Sequence, residues 1–302
     1  MKRNRDYSVF IITALVVLQL GQFYYFFNNS VKEQKTPVVE EQEIIAHRAY
    51  FMNQEFYDEA YEQGSSQAKE PGTRVHGAIL PHHLIVKDKI AAFLSGIEKN
   101  NYETVVMIGP NHFERGASNI IFSRAKWQTP YGELLPNGKL AYNLIEAGFI
   151  PDEDPFAGEH AISGLVGFVK KSFPQAKFLS IIIRPTAKTE ELDRLIEVIA
   201  KSVDPEKALL LASVDFSHYL NVAESDKNDE ISKMAIESGE VEKILAIPVD
   251  SPKAIYVLMS YLKQIGAEKS NLIFHTNSGR LIGQMEAETT SHMFFYFSRE
   301  KF

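Results

Sequence analysis

The stretch LLLASVDFSHYL, Leu209 to Leu220, decides how the fold is read. It is an apolar run that stops abruptly at Asp215, Ser217 and His218. Two upstream stretches have the same shape: VHGAILPHH ends in His82 and His83, and VVMIGPNHF ends in Asn111 and His112. Short apolar runs of this kind read as buried strands, here Val75–Leu80, Thr104–Ile108 and Ala208–Val214. Further β-rich runs lie at Asn119–Phe122, Phe178–Ile183, Asn271–His275 and His292–Phe297. Between most of them the apolar spacing becomes helical, at Asp88–Ile97, Lys139–Ala147, Ile162–Phe173, Thr189–Ser202, Asp226–Ile236 and Pro252–Ile265. The fourth of these opens with a capping threonine and early acids that suit the helix dipole. Strands alternating with helices predict an α/β fold, a single domain whose mostly parallel central sheet is flanked by helices. In such sheets, sites form at the C-terminal ends of strands. His82, His112, Asp215 and His218 are therefore expected along one sheet edge.

The bulk properties narrow the chemistry. The chain has 302 residues, is 45% hydrophobic and 24% charged, and carries a formal net charge of -7. That acidity argues against a nucleic-acid binder, which needs a basic face. There are no cysteines, so disulfides, thiol catalysis and thiolate metal ligands are excluded. Any metal must be held by histidine and carboxylate.

The N-terminus predicts a location. A basic stub, residues 1–8 with Lys2, Arg3 and Arg5, precedes an apolar segment over residues 9–27. That span approaches the ~20 residues that cross a bilayer. Basic residues before it and Tyr24 and Tyr25 near its end predict a single-pass signal anchor, with the following domain on the extracytoplasmic side of the cell membrane. A cleaved signal peptide is the alternative; its apolar core would be shorter and would end at a small-residue cleavage site. Residues 28–74 read as a linker with a possible helix, and 75–302 as the α/β domain.

Each polar constellation has a plain structural reading beside a functional one. His82 and His83 follow Pro81; on an extended backbone they point to opposite sides, so one of them is expected to face a cleft. Asn111, His112 and Glu114 follow the Gly109-Pro110 turn and could be turn hydrogen bonding or functional loop groups. Asp215 and His218 suit acid–base work or support of a metal ligand, or else a helix cap. A nucleophile role for Ser217 lacks the G-x-S-x-G elbow. In DPFAGEHAISG, Glu159 suits a helix start, whereas a cationic His160 would oppose the dipole, so a neutral His160 near a cleft is the functional reading. His47, His76, His275 and His292 read as structural or surface residues. Together the strand-end loops suit a mononuclear site of oxygen and nitrogen donors, as in non-haem iron proteins.

In this order ILPHHLI, VVMIGPNHFERG, TPYGEL, EHAISGLVGFVKKSFPQAKFLSIIIRP and LLLASVDFSHYL resemble the Memo-like family, whose prokaryotic members are named AmmeMemoRadiSam system protein B. The resemblance covers about Val75 to Phe297. It implies a fold like that of the class III extradiol dioxygenases, which are non-haem iron enzymes. It implies that His82 and His112 line a metal-binding cleft, with Asp215, His218 and His160 in the same cleft. The family's third metal residue is a cysteine ahead of a helix resembling AIYVLMSYL; aligning on that helix places Asp250 there, with Ser251 as the other candidate. With Asp250 the set becomes two histidines and a carboxylate, the facial triad of Fe(II) oxygenases. Fe(II) is then the expected metal, with Cu, Mn and Zn as the others. His218 and Asp215 would serve as a proton-exchanging pair on the open side.

The resulting expectation is a metal-dependent oxidoreductase of dioxygenase type. The alternative is a non-catalytic module that holds a small molecule or peptide in the same cleft, with Arg115 and Arg184 as candidate anion donors. A metal hydrolase ranks last, because H-E-x-x-H and a two-metal carboxylate cluster are missing from the sequence.

Overall fold

The structure, a computed structural model, describes residues 45–300. Its strands are β1 (Ala46–Arg48), β2 (Gly77–Leu80), β3 (Thr104–Pro110), β4 (Ile120–Phe122), β5 (Lys126–Thr129), β6 (Gly132–Leu134), β7 (Ile150–Pro151), β8 (Lys177–Ile183), β9 (Ala208–Ser213), β10 (His218–Leu220), β11 (Lys269–Asn277) and β12 (Thr289–Ser298). The large sheet has the order β10-β12-β2-β9-β3-β8-β4-β7, and β11 also pairs with β12. Four strands at its centre, β2, β9, β3 and β8, are parallel neighbours. Both flanks reverse: β12 runs antiparallel to β2, β10 and β11, and β4 runs antiparallel to β8.

The expected mostly parallel sheet is therefore corrected to a mixed one. The reason is the length of a connection. Parallel neighbours need a crossover of a dozen or more residues, usually a helix. Only the short helix Ser278–Ile282 and a loop separate β11 from β12, so they close as an antiparallel pair.

The parallel centre is apolar on both faces because helices cover both. Ile79, Val106, Ile108, Leu210 and Ala212 pack toward the helices Thr189–Ser202 and Pro252–Gln264. Ala78, Leu80, Val105, Met107, Leu209 and Leu211 pack toward Lys87–Ile97 and Val166–Ser172. Each fully buried aliphatic side chain contributes roughly 1.5–3 kcal/mol. Truncating a central one, such as Leu211, would open a cavity directly below the strand ends.

Local signals set the helix ends. Asn221 caps Val222–Ser238 by accepting from Glu224 N at 3.0 Å. Ser251 and Pro252 open Pro252–Gln264. At Thr189–Ser202 the cap is Lys188 and not the threonine: Glu191 reaches back to accept from Lys188 N at 2.8 Å. The sequence pattern over Ile162–Phe173 divides into two helices, His160–Ser163 and Val166–Ser172.

The segment before β2 belongs to the same compact unit, which begins at Ile45. β1 pairs with β5 in a small sheet of order β1-β5-β6. The helix Gln54–Gly64 lies on Lys87–Ile97, and Gly64 permits the approach, because a Cβ there would stand 2.9 Å from Ala92 N.

The membrane expectation is also corrected. No helix among the described residues is long and apolar enough to cross a membrane, and the segment 9–27 lies outside the described residues. The described residues therefore give no support to the single-pass, extracytoplasmic placement.

Candidate metal centre

Register brings the polar strand ends level. Leu80 pairs with Ser213, and Ile108 with Ala212, so the residues following β2, β9 and β3 emerge together. His82 and Asp215 each stand two residues past a paired strand end, and Asn111 and His112 follow β3 directly. His160 arrives from the short helix beside β3.

Two buried partners orient the first two imidazoles. Glu159, fully buried, accepts from His112 Nδ1 at 2.7 Å, from His112 N at 3.0 Å and from Ala161 N at 3.0 Å. Burial alone would raise its pKa, but these hydrogen bonds hold its carboxyl below the usual glutamate range. Since a carboxylate accepts, His112 carries its proton on Nδ1, and Nε2 keeps a lone pair. Ser213 does the same for His82. Its hydroxyl donates to Ala161 O at 2.6 Å, so its lone pair accepts from His82 Nδ1 at 3.1 Å. His82 Nε2 is again the free acceptor. Burial lowers the His82 pKa to about 4, which keeps the ring neutral. The His160 ring stacks on His112 with centroids 4.2 Å apart and 19° between planes. Burial and His112 lower its pKa too.

The carboxylates face these lone pairs. Asp215 accepts from His82 N at 3.1 Å through Oδ1, leaving Oδ2 3.6 Å from His82 Nε2. Asp250 Oδ2 lies 3.4 Å from His82 Nε2 and 3.9 Å from His112 Nε2, and it accepts from Asp215 N at 3.1 Å. Burial would raise the Asp215 pKa, but His82, His292, His218 and His83 together hold it down. Burial and the neighbouring Asp215 push Asp250 well above the usual carboxylate range. Ser251, the other candidate for this position, is spent on its helix, where it accepts from Ala254 N at 3.4 Å.

These groups fit a metal ion. One ligand atom each from His82, His112 and His160 falls within 4.8 Å of the others, and so does one each from His82, Asp215 and Asp250. A histidine lone pair facing two ionised carboxylate oxygens is repulsive, and either a proton on Asp250 or a metal cation between the groups relieves it. Asp250 Oδ1 is buried and has no hydrogen-bond partner among the described residues. The donor set is nitrogen and oxygen only, which suits iron, manganese or zinc.

The remaining expected residues are placed as follows. His218, half-buried at the start of β10, borders both lobes of the cleft. It makes no hydrogen bond to Asp215 among the described residues, because both Asp215 oxygens are directed at the His82 end. Ser217 is buried and donates to Asp229 at 2.7 Å, which removes it as a nucleophile and anchors the loop. The guanidinium of Arg184 donates to the carbonyls of Glu114 and Gly116, bracing the loop after His112. Arg115 stacks over Phe113 at 5.1 Å. Neither arginine lines the lobes.

One lobe, about 500 Å³, lies over His82, His112 and Asp250; the other, about 430 Å³, is walled by Tyr50, Phe51, Leu84 and Ile85. His82, His160, Asp215 and His218 line both. Tyr50 and Phe51 come from the segment before β2, and their aromatic character was their only sequence signal. His83 also lines the second lobe, its ring held by His292, whose Nε2 lies 3.1 Å from His83 Nδ1.

The Memo-like protein family model matches residues 44–292. The chain belongs to the Memo-like family. A MEMO1 family protein of Pyrobaculum aerophilum is 29% identical over 249 residues, covering 77% of this chain and 87% of its own length. One from Thermoplasma acidophilum is 29% identical over 223 residues, covering 68% and 80%. Among solved structures, the crystal structure of uncharacterized protein JW3007 from Escherichia coli K12 matches at 10% identity with a TM-score of 0.49, covering 72% of this chain and 98% of that one.

Proposed function

We propose that this Memo-like chain is a mononuclear, non-haem metal-dependent oxidoreductase of dioxygenase type, with His82, His112 and Asp250 as ligands. The observation that carries it is the His82 Nε2 lone pair, held 3.4 Å from Asp250 Oδ2 and 3.6 Å from Asp215 Oδ2 by a proton committed to Ser213. A bound Fe(II), or Mn, Zn or Cu in its place, would supply Lewis acidity and, for the redox-active metals, electron transfer. The chain's own contribution is orientation. Glu159 and Ser213 orient the two imidazoles through Nδ1, and Asp250 is held by Asp215 N. His218, which borders both lobes, would exchange a proton with a ligand there. Asp215 supplies negative charge beside it, and His160 holds the His112 ring from its open face.

The test is anaerobic metal analysis of the purified chain beside His82→Ala, Asp250→Ala and His218→Ala. Roughly one Fe(II) per chain is expected, lost in the first two variants and retained in the third. Loss in His218→Ala would move that residue into the ligand set. Failure of the wild type to take up any of the four metals would leave a cleft that binds a small molecule or peptide without catalysis.

A further inference from the structure

A second histidine pair borders the cleft. His83 Nδ1 lies 3.1 Å from His292 Nε2, with ring centroids 5.2 Å apart. His292 is fully buried, and its other nitrogen, Nδ1, is sealed from solvent with no hydrogen-bond partner among the described residues. His83 is half-buried and lines the lobe walled by Tyr50, Phe51, Leu84 and Ile85, and its Nε2 is not sealed.

One proton joins the two rings, and its direction follows from cost. If His83 donated, His292 would have to carry its own proton on Nδ1, leaving a buried N–H unsatisfied. A buried donor and a buried acceptor both cost desolvation when left unmade, but an orphaned buried N–H is the rarer of the two in folded proteins. If His292 Nε2 donates, the unpartnered Nδ1 is only a lone pair. The second arrangement is the cheaper one. It makes His83 Nδ1 the acceptor and puts the His83 proton on Nε2, facing the lobe.

We propose that His83, set by His292, is a specificity residue that donates from Nε2 to an acceptor oxygen, a carbonyl or carboxylate, on a ligand whose apolar body lies against Tyr50, Phe51, Leu84 and Ile85. The lobe, at about 430 Å³, has room for a single-ring molecule and has apolar groups along its outer wall and imidazoles at its inner end. The proposal rests on the preceding reading only for the location of the ligand. Its test is run without metal, so the two can fail separately.

Long-range proton–nitrogen NMR of the metal-free full chain, with labelled histidine, reads the tautomers directly. His83 and His292 should both be protonated on Nε2; a His83 proton on Nδ1 overturns the proposal. Acetophenone and ethylbenzene, which differ by one acceptor oxygen, are then titrated as probes. Acetophenone should bind about 3- to 10-fold more tightly, the range of one neutral hydrogen bond. His83→Phe should abolish that preference, and His83→Gln, which keeps an N–H donor, should restore part of it. His292→Leu should weaken it. Equal binding of the two probes to the wild type, binding of neither, or a ratio unchanged in His83→Phe would overturn the proposal.

Discussion

His82 and His83 are adjacent in sequence, yet they present opposite chemistry to the cleft. His82, on the parallel centre of the sheet, gives its Nδ1 proton to Ser213 and shows a lone pair. His83, over the antiparallel flank, is held by His292 of β12 and shows a proton in the reading proposed above. The lone pair suits a metal and the proton suits an acceptor oxygen on a ligand. A buried partner chooses between them in each case, so the partner, rather than the histidine, sets which face each ring shows to the cleft. The parallel side is supported by neighbours that cannot themselves reach the cleft, whereas the flank is supported by another imidazole.

The first way to break the parallel side is to remove its carboxylate. Glu159→Ala would strand three donors at once: the part-buried His112 Nδ1 and His112 N and the buried Ala161 N. Each hydrogen bond to a charged group contributes about 1.5–3 kcal/mol, so losing these three should cost about 3–5 kcal/mol once solvent reaches the part-buried pair. Urea denaturation should show that loss; a change under about 1 kcal/mol would mean that solvent satisfies these donors and that Glu159 does not organise the site.

The flank is broken by acid. His292 has its pKa lowered by burial from 6.5 to about 4. Asp215, His83, His218 and Asp229 are the titratable groups that act on it. Between those pH values the unfolded chain binds a proton that the folded chain refuses, so stability is full above 6.5 and falls as pH drops toward 4. The loss attributable to this one group is about 3 kcal/mol. Asp250, raised by burial, works in the other direction and gains as pH falls. His292→Leu removes the first contribution and leaves the second. Its stability difference between pH 7 and pH 4 should therefore be smaller than that of the wild type by about 3 kcal/mol. Parallel pH profiles for the two proteins would show that His292 is not buried in its neutral form.

How much of this the sequence could reveal depends on range. Apolar runs broken by histidine are local signals, so β2, β3 and β9 and the residues after them were legible. The parallel order of the centre follows from the intervening helices. The antiparallel flank was legible only in the shortness of the β11–β12 connection, which the alternation of strands and helices hid. The strands β1, β5 and β6 are three or four residues long and partly polar, too short for any period to register. The partners were the least legible. Ser213 reads as a small residue in a buried strand, and its acceptor Ala161 is 52 positions away. His83 and His292 are 209 apart, and only the antiparallel neighbour relation of β12 and β2 brings them together. Glu159 had a sufficient local explanation as a helix cap, which it also is, accepting from Ala161 N. That explanation concealed the bond to His112.

The smallest and sharpest change exchanges the two chemistries on one side. Ser213→Ala removes one hydroxyl from a fully buried site. It deletes the acceptor of the His82 Nδ1 proton and the donor to Ala161 O, at a cost of about 1 kcal/mol for each lost bond. The imidazole can then respond by moving its proton. With Nδ1 unpartnered, placing the proton on Nε2 turns it toward Asp250 Oδ2 at 3.4 Å and Asp215 Oδ2 at 3.6 Å, where two carboxylate oxygens attract it. His82 would then show a proton, as His83 is inferred to do. A metal must displace that proton before His82 can bind it, so affinity should fall by roughly 10-fold or more, within the range seen when a ligand loses its orienting partner. Isothermal titration with Fe(II) or Zn(II) under anaerobic conditions measures the affinity, and histidine NMR of the metal-free variant reports the proton. A proton that stays on Nδ1 with metal affinity unchanged would show that Ser213 does not set the His82 tautomer, and the contrast between neighbouring histidines would then need another cause.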